Sequence, residues 1–156
     1  MLIKSVTLKN FRQYKGKQKI YFSTNPDKNI TIVKGENGAG KTTLLESFSW
    51  CLYKNLDLPN KDKLLNADVA NKLDLKETTE AFVKINLEHN NNEYFIKRAE
   101  KFKKVDNEEI DQTSRNFDIQ IKKDDGVLED LKYPRRKIKN ILPEDISTYF
   151  FFDGER

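Results

Sequence analysis

Apolar residues recur at every second position in several stretches of this chain. Val83, Ile85 and Leu87 alternate with Lys84, Asn86 and Glu88, and Phe117, Ile119 and Ile121 repeat the pattern. Leu2, Val6 and Leu8 share one face of an N-terminal run. A period of two marks half-buried strands. The pattern predicts a strand over about Leu2–Asn10, a turn around Tyr14–Lys17 and a second strand near Gln18–Phe22. The Asn90-Asn91-Asn92 turn joins the strand at Val83 to another over Tyr94–Phe102 in a hairpin. Asp124-Asp125-Gly126 reads as another hairpin turn. Residues 103–116 are charged and read as loop.

Between residues 30 and 54 the pattern changes. Asn25-Pro26-Asp27 breaks the chain, and Ile30-Thr31-Ile32-Val33 follows as a continuous β-branched run, the kind buried on both faces of a sheet. Leu44, Leu45, Phe48, Cys51 and Leu52 then fall in one stripe at helical spacing, predicting a helix from Lys41 to Lys54. Trp50 and Tyr53 lie off that stripe, so the helix is expected to be covered on more than one side. Residues 55–80 are polar and read as a surface excursion with a short helix near Lys61–Asn71. Pro134 can open a basic helix with Ile138, Ile141 and Leu142 on its apolar side, and Pro143 ends it.

Strand and helix bracket residues 35–42, Gly-Glu-Asn-Gly-Ala-Gly-Lys-Thr, a full match to the phosphate-loop pattern G-x-x-x-x-G-K-[ST]. Gly35, Gly38 and Gly40 free the backbone so that consecutive N–H groups can face phosphate oxygens. Lys41 supplies a point charge to the β- and γ-phosphates, and the Thr42 hydroxyl can ligate Mg²⁺. The positive end of the following helix adds to the cradle. The pattern predicts a nucleoside triphosphate with Mg²⁺.

With 156 residues, 37% hydrophobic and 35% charged, the chain fits one domain with a real core. No apolar run reaches membrane-spanning length and no secretory leader opens the chain, so a cytoplasmic location is expected. The single cysteine, Cys51, reads as a core residue, and His89, beside the Asn turn, as neither ligand nor base. Net charge is +4, but two clusters say more: Lys97, Arg98, Lys101, Lys103 and Lys104, and Lys132, Arg135, Arg136, Lys137 and Lys139. These are solvated faces or contacts to DNA phosphates.

About thirty residues, read as two antiparallel strands, precede the phosphate loop. That layout, with Lys9-Asn10-Phe11-Arg12-Gln13-Tyr14-Lys15-Gly16 between the strands, residues 35–43, and the terminal Phe150-Phe151-Phe152-Asp153-Gly154-Glu155, resembles the N-terminal half of an ABC-type ATPase head of the SMC, SbcC and RecF groups. It is most similar to the DndD-like ATPases of DNA phosphorothioation and related anti-phage systems. The resemblance implies an α/β P-loop NTPase lobe, with mixed and antiparallel sheet around the phosphate-loop helix. Arg12 would reach toward the phosphates, and Asn37 through Thr43 would cradle them. The ending would be a Q-loop in which Asp153, in place of the usual Gln, ligates Mg²⁺. The same residues also fit a Walker B strand with Glu155 as base, although that motif normally has adjacent acids.

None of the six glycines sits in an LSGG-type signature. The resemblance then implies the N-terminal half of a head whose C-terminal half follows a coiled coil. ATP would be sandwiched between two heads of a homodimer, with DNA and accessory modification or nuclease proteins as partners. Half a site would bind ATP with little turnover, because phosphoryl transfer depends on complete positioning and electrostatics. Two other readings stand beside it: a self-contained P-loop NTPase or kinase acting on a small molecule, and a nucleotide-gated DNA scaffold without turnover.

Overall fold

The computed structural model describes residues 1–54, 64–106, 109–123 and 125–147. Six strands form one sheet: β1 (Leu2–Phe11), β2 (Tyr14–Tyr21), β3 (Thr78–His89), β4 (Asn92–Lys104), β5 (Ile110–Lys122) and β6 (Leu128–Asp130). Their order is β2-β1-β3-β4-β5-β6. All the described pairings are antiparallel, so the mixed sheet expected from the resemblance is not seen among the described residues. Helices α1 (Lys41–Tyr53), α2 (Ala67–Lys72), α3 (Pro134–Ile141) and α4 (Glu144–Ser147) complete the described elements.

The period-two pattern decides which face is buried. Val6 and Leu8 of β1, Val83, Ile85 and Leu87 of β3, Tyr94 and Ile96 of β4 and Ile119 of β5 all turn inward. Helix α1 packs on β3 and β4, with the Cys51 thiol 3.4 Å from the Val83 carbonyl. Trp50 is buried and its ring lies 5.1 Å from Phe11. Burial of Leu44, Phe48, Trp50, Cys51 and Leu52 accords with the covered helix expected from the sequence. Asn90 and Asn91 take left-handed conformations (φ 48° and 59°) at the β3–β4 turn, which Asn tolerates better than most residues. Pro134 opens α3, whose Ile138 and Ile141 are buried against the body.

Four expectations are corrected. Ile30–Val33 is not a buried strand: it has no strand pairing, and Ile30 and Ile32 are 79% and 75% exposed. Both edges of β1 are taken by β2 and β3. The first hairpin turns at Arg12-Gln13 rather than at Tyr14–Lys17. A register shift at Asn10 (φ 50°) tightens the turn, and Gly16 sits inside β2, its N–H bonded to the Asn10 side chain at 2.9 Å. Residues 103–116 are largely strand, because β4 runs to Lys104 and β5 begins at Ile110. The short helix in the 55–80 excursion is α2, starting at Ala67 with Asn66 as its side-chain cap; residues 55–63 lie outside the described residues.

Candidate functional site

The phosphate loop leads directly into α1. Gly40 caps the helix in a left-handed conformation (φ 95°), and Gly38 has φ 80°. A side chain on Gly40 would meet the Tyr14 ring at 3.3 Å, and one on Gly35 would meet the Ala39 Cβ at 3.2 Å. A side chain at Gly40 is strained by the left-handed backbone as well, whereas at Gly35 the Ala39 methyl would have to give by a few tenths of an ångström. Helix α1 has no side-chain cap and no acid in its first turn. Its first N–H groups and its positive dipole end are left for an anion. Asn37, Ala39, Lys41 and Thr42 are exposed, and Lys41 donates to the Gly35 and Glu36 carbonyls at 2.7 and 2.9 Å. This geometry fits the phosphates and a Thr42-ligated Mg²⁺.

Thr43 differs from its neighbours. It is buried, and its hydroxyl is hydrogen-bonded to the Gln13 side chain. Its neighbour Thr42 is the one open to solution.

The β1–β2 turn is what fixes this end of the helix. Arg12 pairs with Glu46, Gln13 with Thr43, and the Tyr14 hydroxyl donates to the Gly40 carbonyl at 3.1 Å. The turn is itself held from the other side: Arg12 N–H bonds to the Leu64 carbonyl at 2.8 Å, and Asn66 N–H to the Asn10 carbonyl at 2.8 Å. Burial holds the Arg12 guanidinium below its usual range and pushes the Tyr14 phenol up. Arg12, which the resemblance would have reach toward the phosphates, thus lies beside the loop's helix and is engaged with a carboxylate. Sequence reasoning missed Gln13, Tyr14 and Glu46 as parts of this site. Glu46 had a visible signal, since it lies one helical turn beyond Thr42 on the same face.

Asp153 and Glu155 lie outside the described residues, as does the whole terminal motif. The described residues contain no group of three or more His, Cys, Asp and Glu side chains arranged to hold a metal.

The basic clusters are not two patches. Neighbours on a strand point to opposite faces, so Lys97, Lys101 and Lys103 separate from Arg98 and Lys104. Lys97 pairs with Glu80 at 3.1 Å and stands over the Phe82 ring. Arg98 is the clear departure: it is 7% exposed, and its guanidinium donates to the Cys51 and Leu52 carbonyls at 2.9 and 3.3 Å. It caps the C-terminal end of α1 from within the core and is not a surface contact. Lys137 stands 5.1 Å over the Tyr94 ring, while Lys139, Arg135 and Arg136 are exposed on α3.

Residues 5–156 match the AAA domain family. The chain belongs to that family. The chain is similar to the "DNA replication and repair protein RecF" of Clostridium kluyveri, 45% identical over 69 residues, which is 44% of this chain and 18% of that protein. The Clostridium acetobutylicum protein of the same name is 34% identical over 88 residues, 56% of this chain and 20% of that one. The Clostridium beijerinckii protein is 34% identical over 65 residues, covering 42% and 16%. The chain thus matches about a fifth or less of the length of these curated relatives. No helix among the described residues is long and apolar enough to cross a membrane.

Proposed function

We propose that this AAA domain is the ATP-binding half of a DNA-associated ATPase head of the RecF and SMC kind. The observation that carries the reading is the clamp of the β1–β2 turn on the phosphate-loop helix, with Arg12, Gln13 and Tyr14 each bonded to residues 40–46. A nucleotide whose phosphates replace the Gly35 and Glu36 carbonyls as partners of Lys41 would sit within reach of Arg12. Glu46 would then be the gate that holds or releases that arginine. Gly35, Asn37, Gly38, Ala39, Gly40, Lys41, Thr42 and Thr43 form the cradle, with Thr42 and Asp153 on Mg²⁺ and Lys41 and Asp153 serving the reaction.

The exposed run Ile30–Val33, immediately before the loop, supports a further part of this reading. A β-branched run with unpaired backbone is a template for strand addition, and the C-terminal half of the same head is its proposed cover. Homodimerisation through ATP sandwiched between heads, a cytoplasmic setting and service in a DndD-like modification or anti-phage system belong to the same proposal. The last of these rests on the Phe-Phe-Phe-Asp-Gly-Glu motif. DNA would meet the exposed cations Lys101, Lys139, Arg135 and Arg136, with the half-buried Lys97, Lys103, Lys104 and Lys137 less free.

Steady-state phosphate release across protein concentration tests the enzyme reading. Residues 1–156 alone should bind ATP with almost no turnover. Addition of the C-terminal half should restore hydrolysis with a rate rising faster than linearly, and Asp153→Asn should then lower kcat more than it weakens ATP binding. Robust turnover by the chain alone, first order in protein and abolished by Glu155→Gln, would instead establish the self-contained NTPase. Duplex binding that falls roughly 10²- to 10³-fold between about 50 and 200 mM salt corresponds to about five phosphate contacts, and a flat response removes DNA from the proposal.

A further inference from the structure

The far end of α1 opens onto a second cationic concavity. A cavity of about 520 Å³ lies where the end of α1 meets β4, β5 and the start of α3. Six cationic side chains line it, against a single carboxylate, Glu100. Glu100 is already engaged by Gln112 and, at 3.6 Å, by Arg115. Arg98 forms part of the wall while committed to the helix carbonyls. Lys54, Lys132, Arg135 and Arg136 make no ion pair with any described residue, so an excess of positive charge faces the cavity.

Shape selects among anions. A duplex offers its phosphates along a convex cylinder and cannot enter a concavity of this size. The volume falls within the range of small-ligand pockets, about 300–1,000 Å³. Phe117 and Pro134 give apolar walls, and Tyr133, 74% exposed, offers a ring on which a base can stack. We propose that this cavity binds a small ligand with adjacent phosphate groups, either a nucleoside polyphosphate or a free polyphosphate. The site is separate from the phosphate loop: the thirteen residues of α1 place the two about 20 Å apart. The proposal does not depend on the chain being an ATPase.

Equilibrium titration with ATP and with inorganic tripolyphosphate tests it, on the wild-type chain, on Lys41→Ala and on Arg135→Glu/Arg136→Glu. The arginines are exposed, so the double variant should fold, which circular dichroism checks. Two ATP sites per chain are expected in the wild type and one in Lys41→Ala. The double variant should keep the loop site and weaken the cavity site by at least about tenfold. Displacement of the residual ATP by tripolyphosphate assigns recognition to phosphates alone; its failure assigns a share to the base and Tyr133. Complete loss of ATP and tripolyphosphate binding in Lys41→Ala overturns the proposal. Residual binding indifferent to the arginine changes overturns it as well. Loss of duplex binding in the double variant, with no residual ATP site in Lys41→Ala, would leave these arginines to DNA alone and overturn the proposal. Absence of the loop site with the cavity site intact would count only against the ATPase reading.

Discussion

The two ends of α1 are built in opposite ways. At the N-terminal end Gly40 is left-handed, no side chain caps the helix, and the preceding residues 31–39 are exposed. At the C-terminal end Lys54 is also left-handed (φ 65°), but its N–H bonds to the Trp50 carbonyl, and Arg98 reaches from β4 to the next two carbonyls. A helix leaves four N–H groups unmatched at one end and four carbonyls at the other, with opposite partial charge. Here the carbonyl end is closed from inside by a cation, and the N–H end is left open toward solution. The same dipole thus yields an anchor at one end and an anion site at the other.

The largest expected effect comes from breaking the closed end. Arg98→Ala removes two charge-assisted hydrogen bonds to buried carbonyls and a guanidinium 4.2 Å over the Phe117 ring. It should cost about 3 kcal/mol or more by urea unfolding. Burial pushes the Cys51 thiol up to about 12, so the native protein should resist thiol labelling at neutral pH. Labelling should accelerate in Arg98→Ala as this end of the helix opens locally. A loss below about 1 kcal/mol with unchanged labelling would mean that Arg98 does not hold this end.

Filling the open end should have the next largest effect. Mg-ATP at about a hundred times its Kd should stabilise the protein by roughly 2.7 kcal/mol. Lys41→Ala should abolish most of that gain while leaving the apo protein folded, since Lys41 bonds only carbonyls of its own exposed loop. Equal thermal shifts in both proteins would contradict a ligand site at this end.

What could be read in advance followed the range of the interactions involved. The phosphate loop, α1, the β3–β4 hairpin and α3 are specified by local spacing, turn residues and a helix-opening proline, so their signals lie within a few residues. Ile30–Val33 was misread because a buried strand needs a neighbour, and pairing is not encoded in the run itself. The Ile110–Asn116 part of β5 was misread for the converse reason. It is mostly exposed, shows no clean alternation, and is held in the sheet by β4. Arg98 was recoverable in principle, because on the strand over Tyr94–Phe102 it shares parity with Tyr94 and Ile96. The contacts of Arg12, Gln13 and Tyr14 with α1 were not recoverable. They arise only when a turn near residue 12 docks on a helix some thirty residues later.

Both caps are left-handed, but a glycine holds one and a lysine the other. Gly40→Ala forces a Cβ into a left-handed position 3.3 Å from the Tyr14 ring, and should cost about 1–2 kcal/mol while weakening ATP binding. Lys54→Gly at the other end relieves a left-handed non-glycine residue and should stabilise by up to about 1 kcal/mol. Thermal melts of the two variants should shift in opposite directions. A shift in the same direction would show that the fit of the residue to the left-handed conformation does not set the stability of these caps.

The smallest effect concerns protonation beside the closed end. Burial raises Glu100 above the ordinary carboxylate value of 4.5, while Arg115, Lys54 and Arg98 pull it back and limit the shift. The folded protein therefore holds the Glu100 proton to higher pH than the unfolded chain does. Between the two values the native state binds more protons, so the stability from this group is full below 4.5 and declines as pH rises through the folded value. Glu93 acts in the other sense. Although burial is its largest single influence and pushes it up, hydrogen bonds from Asn86 and Lys4 together with the charges of Lys4 and Lys122 outweigh burial and leave it lowered. Its contribution is lost as pH falls. The wild-type pH profile mixes the two, so the comparison must be between wild type and Glu100→Gln. The variant should gain stability relative to wild type on going from pH 4 to pH 7, by less than about 1 kcal/mol, and keep the Glu93-dependent loss in acid. If the difference between the two proteins is flat across that range, the carbonyl-capping arginine and its neighbours compensate fully for the burial of Glu100.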